Sequence, residues 1–176
     1  FENTCAATID RSIVDPATTF IAYGTKIGTD TTIHPFTVVD NDVKIGARCS
    51  VGPFCHLRDG TCLKDEVVIG NFSELVRTTV EEKTWAKHFG YLGDTRVGKG
   101  CNIGAGSVTA NFDGKDKHVT VIKDGAFIGC DSVLVSPVVV GKNSVTGAGC
   151  VVTRNTKIPD ASVAVGVPAR VVKKRG

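Results

Sequence analysis

The chain has 176 residues, 22% of them charged and 6% aromatic, with a formal net charge of +3. That length suits one domain, residues 1–176, since no Ser-, Pro- or Gly-rich stretch reads as a linker. Weak, scattered positive charge and few rings argue against a nucleic-acid surface, and no charged segment followed by a long apolar run suggests a signal peptide or a membrane span.

In chain order, aliphatic residues recur at every sixth position from Ile21 through Ile27, Ile33, Val39, Ile45, Val51, Leu57, Leu63 and Ile69 to Leu75. No helix or hairpin period produces such a run, whereas a solenoid does. After a short slip the period resumes at Val80, Ala86 and Leu92, again at Val97, Ile103 and Thr109, and finally runs from Ile122 through Ile128, Leu134, Val140, Thr146 and Val152 to Ile158. The fourth residue after each aliphatic position is small, as at Thr31, Cys49, Cys55, Ser73, Thr79, Cys101, Ser107, Ser132 and Cys150. Two inward positions per hexad are thereby assigned. Glycine often follows the aliphatic residue, as at Gly28, Gly46, Gly70, Gly104 and Gly129, where freedom at positive φ would serve a tight corner. One hexad cannot bury its apolar side alone, but coils stacked about 4.8 Å apart share a core and pair as parallel sheets.

The repeat also accounts for most of the seven cysteines. Cys49, Cys55, Cys101 and Cys150 take the small inward position, where a thiol behaves as a hydrophobe. An odd set without close CxxC pairs argues against a disulfide framework or a zinc site, and for a reducing, cytoplasmic compartment. The glycines of residues 98–104 could pass for a phosphate loop, but no helix follows and the GK[ST] ending is absent.

Two segments interrupt the hexads: residues 76–96, with Trp85, His88 and Tyr91, and residues 110–121, reading Ala-Asn-Phe-Asp-Gly-Lys-Asp-Lys-His-Val-Thr-Val. Irregularity in a regular scaffold is where chemistry tends to sit, although the second break also suits a solvated turn. Counting three hexads with the local slips stacks His88 with Ala105, and puts Cys130, Ala148 and Gly166 in another column. The second column reads as a smooth rail of small residues. His34, His56 and His118 are expected in solvent or in loop packing. The basic tail, residues 165–176, offers Arg170, Lys173, Lys174 and Arg175 to an anion or simply to water.

Phe36-Thr-Val-Val39, Ile45-Gly, Gly52-Pro-Phe54, Leu57-Arg58, Gly70-Asn-Phe72, Tyr91-Leu-Gly-Asp94, Asn102-Ile-Gly-Ala-Gly106, Thr109-Ala-Asn-Phe-Asp-Gly-Lys115, Phe127-Ile-Gly129 and Val152-Thr-Arg154 cover most of the chain in one order. They resemble the C-terminal domain of the bifunctional bacterial glucosamine-1-phosphate acetyltransferase and N-acetylglucosamine-1-phosphate uridyltransferase family. The resemblance implies an all-β, left-handed parallel β-helix with three hexads per triangular coil. It also implies acetyl transfer from acetyl-CoA to an amino-sugar phosphate, glucosamine 1-phosphate, without a metal, by a homotrimer with sites between neighbouring solenoids. By the same resemblance His88 is the general base, Arg58, Tyr91, Asn102 and Lys117 bind the sugar phosphate, and Ala105, Asn111, Phe112, Cys130 and Ala148 meet acetyl-CoA. The uridyltransferase half has no counterpart in this sequence, so no nucleotide-sugar synthesis is expected of it.

The chemistry suits those residue types. An amine attacks only when neutral, and an imidazole can take its proton near neutral pH. Backbone N–H groups around Gly104 and Ala105 could steady the oxyanion as the thioester is attacked. Four positions depart from the family: Phe112 and Cys130 each lack a hydroxyl, Val76 stands where a phosphate-binding Lys is usual, and Gly166 stands where an Arg meets acetyl-CoA. Val76 counts one coil from Arg58 and is expected to face the same pocket, with Arg77 next to it. Rival readings are transfer to another amino or hydroxy sugar, and a non-catalytic solenoid that only trimerises. A γ-type carbonic anhydrase on this scaffold needs closely spaced zinc histidines, which His56, His88 and His118 do not provide.

Overall fold

The computed structural model describes residues 13–174. The six-residue period folds into short strands that visit three faces in turn, each strand pairing in parallel with the one a coil later. Face one runs from Phe20–Ile21 to Val151–Val152, face two from Lys26–Ile27 to Lys157–Ile158, and face three from Thr32–Ile33 to Ser162–Val165. Three hexads per coil, as the resemblance implies, account for this triangular parallel β-helix. Arg170–Lys174 then turns back antiparallel on Ser162–Val165, so the basic tail extends face three. No helix among the described residues is long and apolar enough to cross a membrane.

The inward positions form one continuous core: Ile33, Leu57, Leu63, Ile69, Leu75, Ile122, Ile128 and Leu134 are all fully buried. Each such side chain contributes roughly 1.5–3 kcal/mol relative to exposure. The small positions carry hydroxyls that bond the carbonyl at a neighbouring corner, as Thr31 Oγ1 does to Gly46 O at 2.7 Å and Thr84 Oγ1 to Gly98 O at 2.7 Å. Cys49, Cys101 and Cys150 are buried there as expected, and burial pushes the Cys55 thiol up to about 12. Such thiols are inert. Cys62 is half-buried on face two, Cys130 is exposed, and Cys5 lies outside the described residues.

Register corrects three expectations. Thr32, Ser50 and Val68 pair at 18-residue steps, whereas Val68 to Trp85 and Trp85 to Asn102 are 17-residue steps. Residues 76–96 therefore keep their strands and lose only one residue per coil, a slip and not an insertion. Thr78, not Thr79, consequently turns inward, with its hydroxyl bonded to Val76 O at 3.0 Å and Leu92 O at 2.9 Å. Asn102 to Phe127 is a 25-residue step, so the second break is a true insertion outside the coil.

The third correction concerns the glycines. Positive φ falls mostly two residues later and mostly on other residue types, such as Phe54 (φ 53°) and Phe72 (φ 56°). Gly70 and Gly104 are glycine because the next coil presses on them: a Cβ on Gly104 would lie 2.5 Å from Cys130 N, and one on Gly70 would overlap Lys87 O. Close approach of backbones, not φ, selects glycine there. At the same corner the rings of Phe36, Phe54 and Phe72 stack with centroids 4.7 and 5.2 Å apart, close to the coil spacing.

Candidate active site

Extending the registers Trp85↔Asn102, Asn102↔Phe127 and Phe127↔Val145 by three residues stacks His88, Ala105, Cys130 and Ala148 at the corner between faces three and one. Coil-to-coil bonds hold this column: the Gly106 N–H donates to Phe89 O at 2.8 Å, Asp131 N–H to Ala105 O at 2.7 Å, and Gly149 N–H to Cys130 O at 2.8 Å. Gly166 continues it below Ala148. Hexad counting divides these residues between two columns. They form one, because the inserted loop lies wholly outside the coil and leaves its phase unchanged.

His88 heads this group, and its imidazole is exposed with no hydrogen bond to another described residue; its carbonyl accepts from Ser73 Oγ at 2.8 Å. Beneath it Ala105 is half-buried, while Cys130 and Ala148 are exposed. The Gly104 N–H is spent on Ile128 O at 2.8 Å, which removes it as an oxyanion donor. The Ala105 N–H bonds to no described carbonyl, so it is the donor of the two that is free to act.

A second cluster lies one corner away, between faces one and two. Arg58, Val76 and Gly93 are in register there, and Arg58 Nη1 pairs with Glu74 Oε1 at 2.7 Å. Val76 is only 3% exposed and sits outside the main apolar core, so the pocket it was expected to line is closed at that point. The Tyr91 hydroxyl and the Asn111 amide both crowd the space over Gly93, which only the missing side chain leaves open. Asn111 is buried, and its Nδ2 donates to Asp94 Oδ2. Arg77 grips both oxygens of that carboxylate, at 2.6 and 2.9 Å. The Arg77 hydrogen bond, then the Asn111 amide and the Lys117 charge, hold Asp94 below the usual carboxylate range against the effect of burial. Arg77, Asp94 and Asn111 are spaced by one 17-residue coil each, a signal in the sequence that could have brought them together.

Residues 111–119 form the inserted loop, with Phe112 exposed and bridged antiparallel to Lys117. Asp113 pins its tip: Oδ2 accepts from Arg154 Nη2 at 2.7 Å and pairs with His118 Nε2 at 2.7 Å, while Oδ1 accepts from the N–H groups of Lys115 and Asp116. His118 thus packs in the loop, as expected, and also adjoins Arg154. These donors, led by the Asp116 N–H and then Arg154 and His118, depress the Asp113 pKa strongly. A depressed carboxylate stabilises above its unfolded pKa of about 3.9 and loses that contribution as the pH falls through its folded value. Asp113→Asn should therefore speed proteolytic cleavage within 111–119 at pH 7 with little change in melting temperature. Equal cleavage of variant and wild type would show that the clamp does not order the loop.

The candidate residues thus fall into two groups. His88, Ala105, Cys130 and Ala148 share one corner, with Asn102 on the adjoining face three. Arg58, Asn111, Phe112 and Lys117 share the next corner, with Tyr91 on face one. Face one separates the corners, and six residues of extended chain from Ala105 to Asn111 span up to roughly 20 Å. A cleft also lies elsewhere, over face two beside Arg96, Val121 and Lys123.

The bacterial transferase hexapeptide family (six repeats) matches residues 24–59 and 120–154, and the hexapeptide repeat of succinyl-transferase matches residues 94–114. The bifunctional protein GlmU of Thermotoga petrophila is 41% identical over 93% of this chain and 44% of its own length. That of Thermosipho africanus is 40% identical over 92% of this chain and 43% of its own. The chain therefore spans less than half the length of these relatives. Among solved structures, the polySia-specific acetyltransferase NeuO superposes with a TM-score of 0.56 at 20% identity, covering 89% of this chain and 82% of that one. A point mutant of the N-acyltransferase AntD from Bacillus cereus gives 0.50 at 20% identity, covering 86% and 83%, and both share the fold. With six-residue repeats, three to a coil, through the described residues and GlmU relatives aligned along 93% of it, this chain belongs to the bacterial hexapeptide-repeat transferases and is a homologue of part of GlmU.

Proposed function

We propose that the chain is an acetyl-CoA-dependent N-acetyltransferase acting on an amino-sugar phosphate, with glucosamine 1-phosphate as acceptor. The observation that carries this reading is the exposed His88 imidazole, bonded to no other described residue, at the head of a column of small residues. Acetyl-CoA supplies the thioester that the acceptor amine attacks. His88 takes the proton from the amine nitrogen as the new C–N bond forms, and the Ala105 N–H donates to the carbonyl oxygen as charge gathers on it. The C–S bond then breaks so that CoA leaves as the thiolate, which takes up the proton that His88 holds. Ala105, Cys130, Ala148 and Gly166 leave room for an extended pantetheine arm along the solenoid axis, and Arg170 and Lys173, in register with Val165 and Val163, stand near its far end for the CoA phosphates. Incubation with acetyl-CoA and a panel of amino-sugar phosphates, followed by mass spectrometry, tests the reading. No acetylated product would overturn it.

The acetyl-CoA and sugar-phosphate residues are divided between corners, so a second copy completes the site. A head-to-tail contact in which the His88 corner of one copy faces the Arg58 corner of the next closes into a ring when each step turns by a third of a circle, which is the homotrimer that the resemblance implies. Light scattering that finds only monomer at assay concentration would remove the shared site.

Arg58 is partly neutralised by Glu74, and Arg77 is committed to Asp94, so the acceptor phosphate meets few free cations on this corner. Val76→Lys, with its stem along the buried path and its ammonium beside Arg58, should lower the acceptor KM about tenfold, since a partly desolvated cation–phosphate contact is worth roughly 1–2 kcal/mol. Arg77→Ala should leave that KM within about twofold. An unchanged acceptor KM in Val76→Lys would favour the second reading, transfer to a sugar with no phosphate at this place.

A further inference from the structure

We infer that the outer surface of face three beside His88 holds the acceptor's sugar ring between Trp85 and Phe127, over the Asn102 amide, with the Lys87 ammonium at hand for its phosphate. The inference rests on the acetyltransferase reading and names residues beyond those the resemblance supplies. Trp85 and Phe127 are large apolar side chains left 46% and 48% exposed. The register places Asn102 directly between them, one coil from each. Two sheet spacings, about 9.6 Å, separate the strands that carry the two rings. A ring in contact with both at about 3.5–4 Å needs about 7–8 Å, so a pyranose fits the notch and the shorter Asn102 side chain forms its floor. Lys87 Nζ lies over the Trp85 ring, 4.3 Å from its centroid, which holds a cation beside the indole. His88 follows Lys87 in the chain.

The chemistry of the notch selects its occupant. Aromatic faces take the C–H side of a sugar, an amide pairs with hydroxyls, and an ammonium attracts an anion. A phosphorylated hexosamine carries all three. The Phe36, Phe54 and Phe72 stack is spent on itself along the neighbouring corner, whereas Trp85 makes no ring stack among the described residues.

Trp85 is the sole tryptophan of the sequence, so intrinsic fluorescence reports this notch alone among indoles. Titrating glucosamine 1-phosphate without acetyl-CoA should shift or quench the emission. Trp85→Ala and Phe127→Ala should each raise the acceptor KM about tenfold with kcat and acetyl-CoA KM within about twofold. Lys87→Gln should weaken glucosamine 1-phosphate but not glucosamine. Emission unchanged at acceptor concentrations that saturate turnover, or a wild-type acceptor KM in Trp85→Ala, would overturn the subsite while leaving the transferase reading intact. An emission change without any acetylated product would keep the subsite and remove the transferase.

Discussion

Replacing His88 with Ala is expected to lower turnover by about 10²–10⁴-fold while acetyl-CoA binds as before. A general base acts on the proton that moves in the transition state and adds little to the affinity of the resting complex. The structure suits that division. The imidazole is exposed and engaged by no other described side chain, so its removal breaks no contact that holds the coil. Its backbone stays anchored through Ser73 Oγ and through Gly106 on Phe89 O, bonds that an Ala at the position retains. Melting temperature should hold, and calorimetric acetyl-CoA affinity should change less than about threefold. Turnover like that of wild type would return His88 to the surface.

Most of the fold was legible because the core repeats itself. Each of Ile33, Leu57, Leu75, Ile128 and Val152 occupies the same kind of inward site in its coil, so the period states both the strands and the inward side. What period could not state was how the chain absorbs a slip. Thr78 turns inward instead of Thr79 because the one-residue loss falls between Val76 and Val80, and only the hydroxyl bonds to Val76 O and Leu92 O decide between two adjacent threonines. The glycines misled for a related reason. A six-residue pattern shows that glycine recurs but not whether φ or a neighbouring backbone requires it, and at Gly104 and Gly129 it is the backbone of the next coil.

For the candidate site the sequence offers residues and not the geometry that joins or separates them. His88, Ala105 and Cys130 are exposed or half-buried in one column, which follows from the period once the loop is known to leave the coil phase intact. The charge network was missed because its members, Arg77, Asp94 and Asn111, are distant in sequence and adjacent only through coil stacking. It changes the chemistry of the corner. A guanidinium held at 2.6 and 2.9 Å by Asp94 is a support for the Asn111 amide, not a spare cation for a phosphate. The loop clamp tells the same story over a longer span, since Asp113 and Arg154 are 41 residues apart and meet across coils.

Two inactive variants should restore each other when assembled together. His88→Ala disables the corner between faces three and one, and the double variant Arg58→Ala, Lys117→Ala disables the corner between faces one and two. Arg58 is nearly half exposed and Lys117 is exposed, so these changes leave the coil intact. Each variant alone should form trimers with little activity. If every site takes His88 from one copy and Arg58 from the next, random mixing gives about one site in four with both residues native. Activity should then rise from near zero to about a quarter of the wild-type value per chain, after co-refolding or co-expression. If one chain supplied both groups, every site in the mixture would still carry a defect and no activity would return. Recovery in mixtures shown by light scattering to contain both variants in one trimer would therefore place the reaction between copies, whereas mixed trimers that stay inactive would confine it to one solenoid.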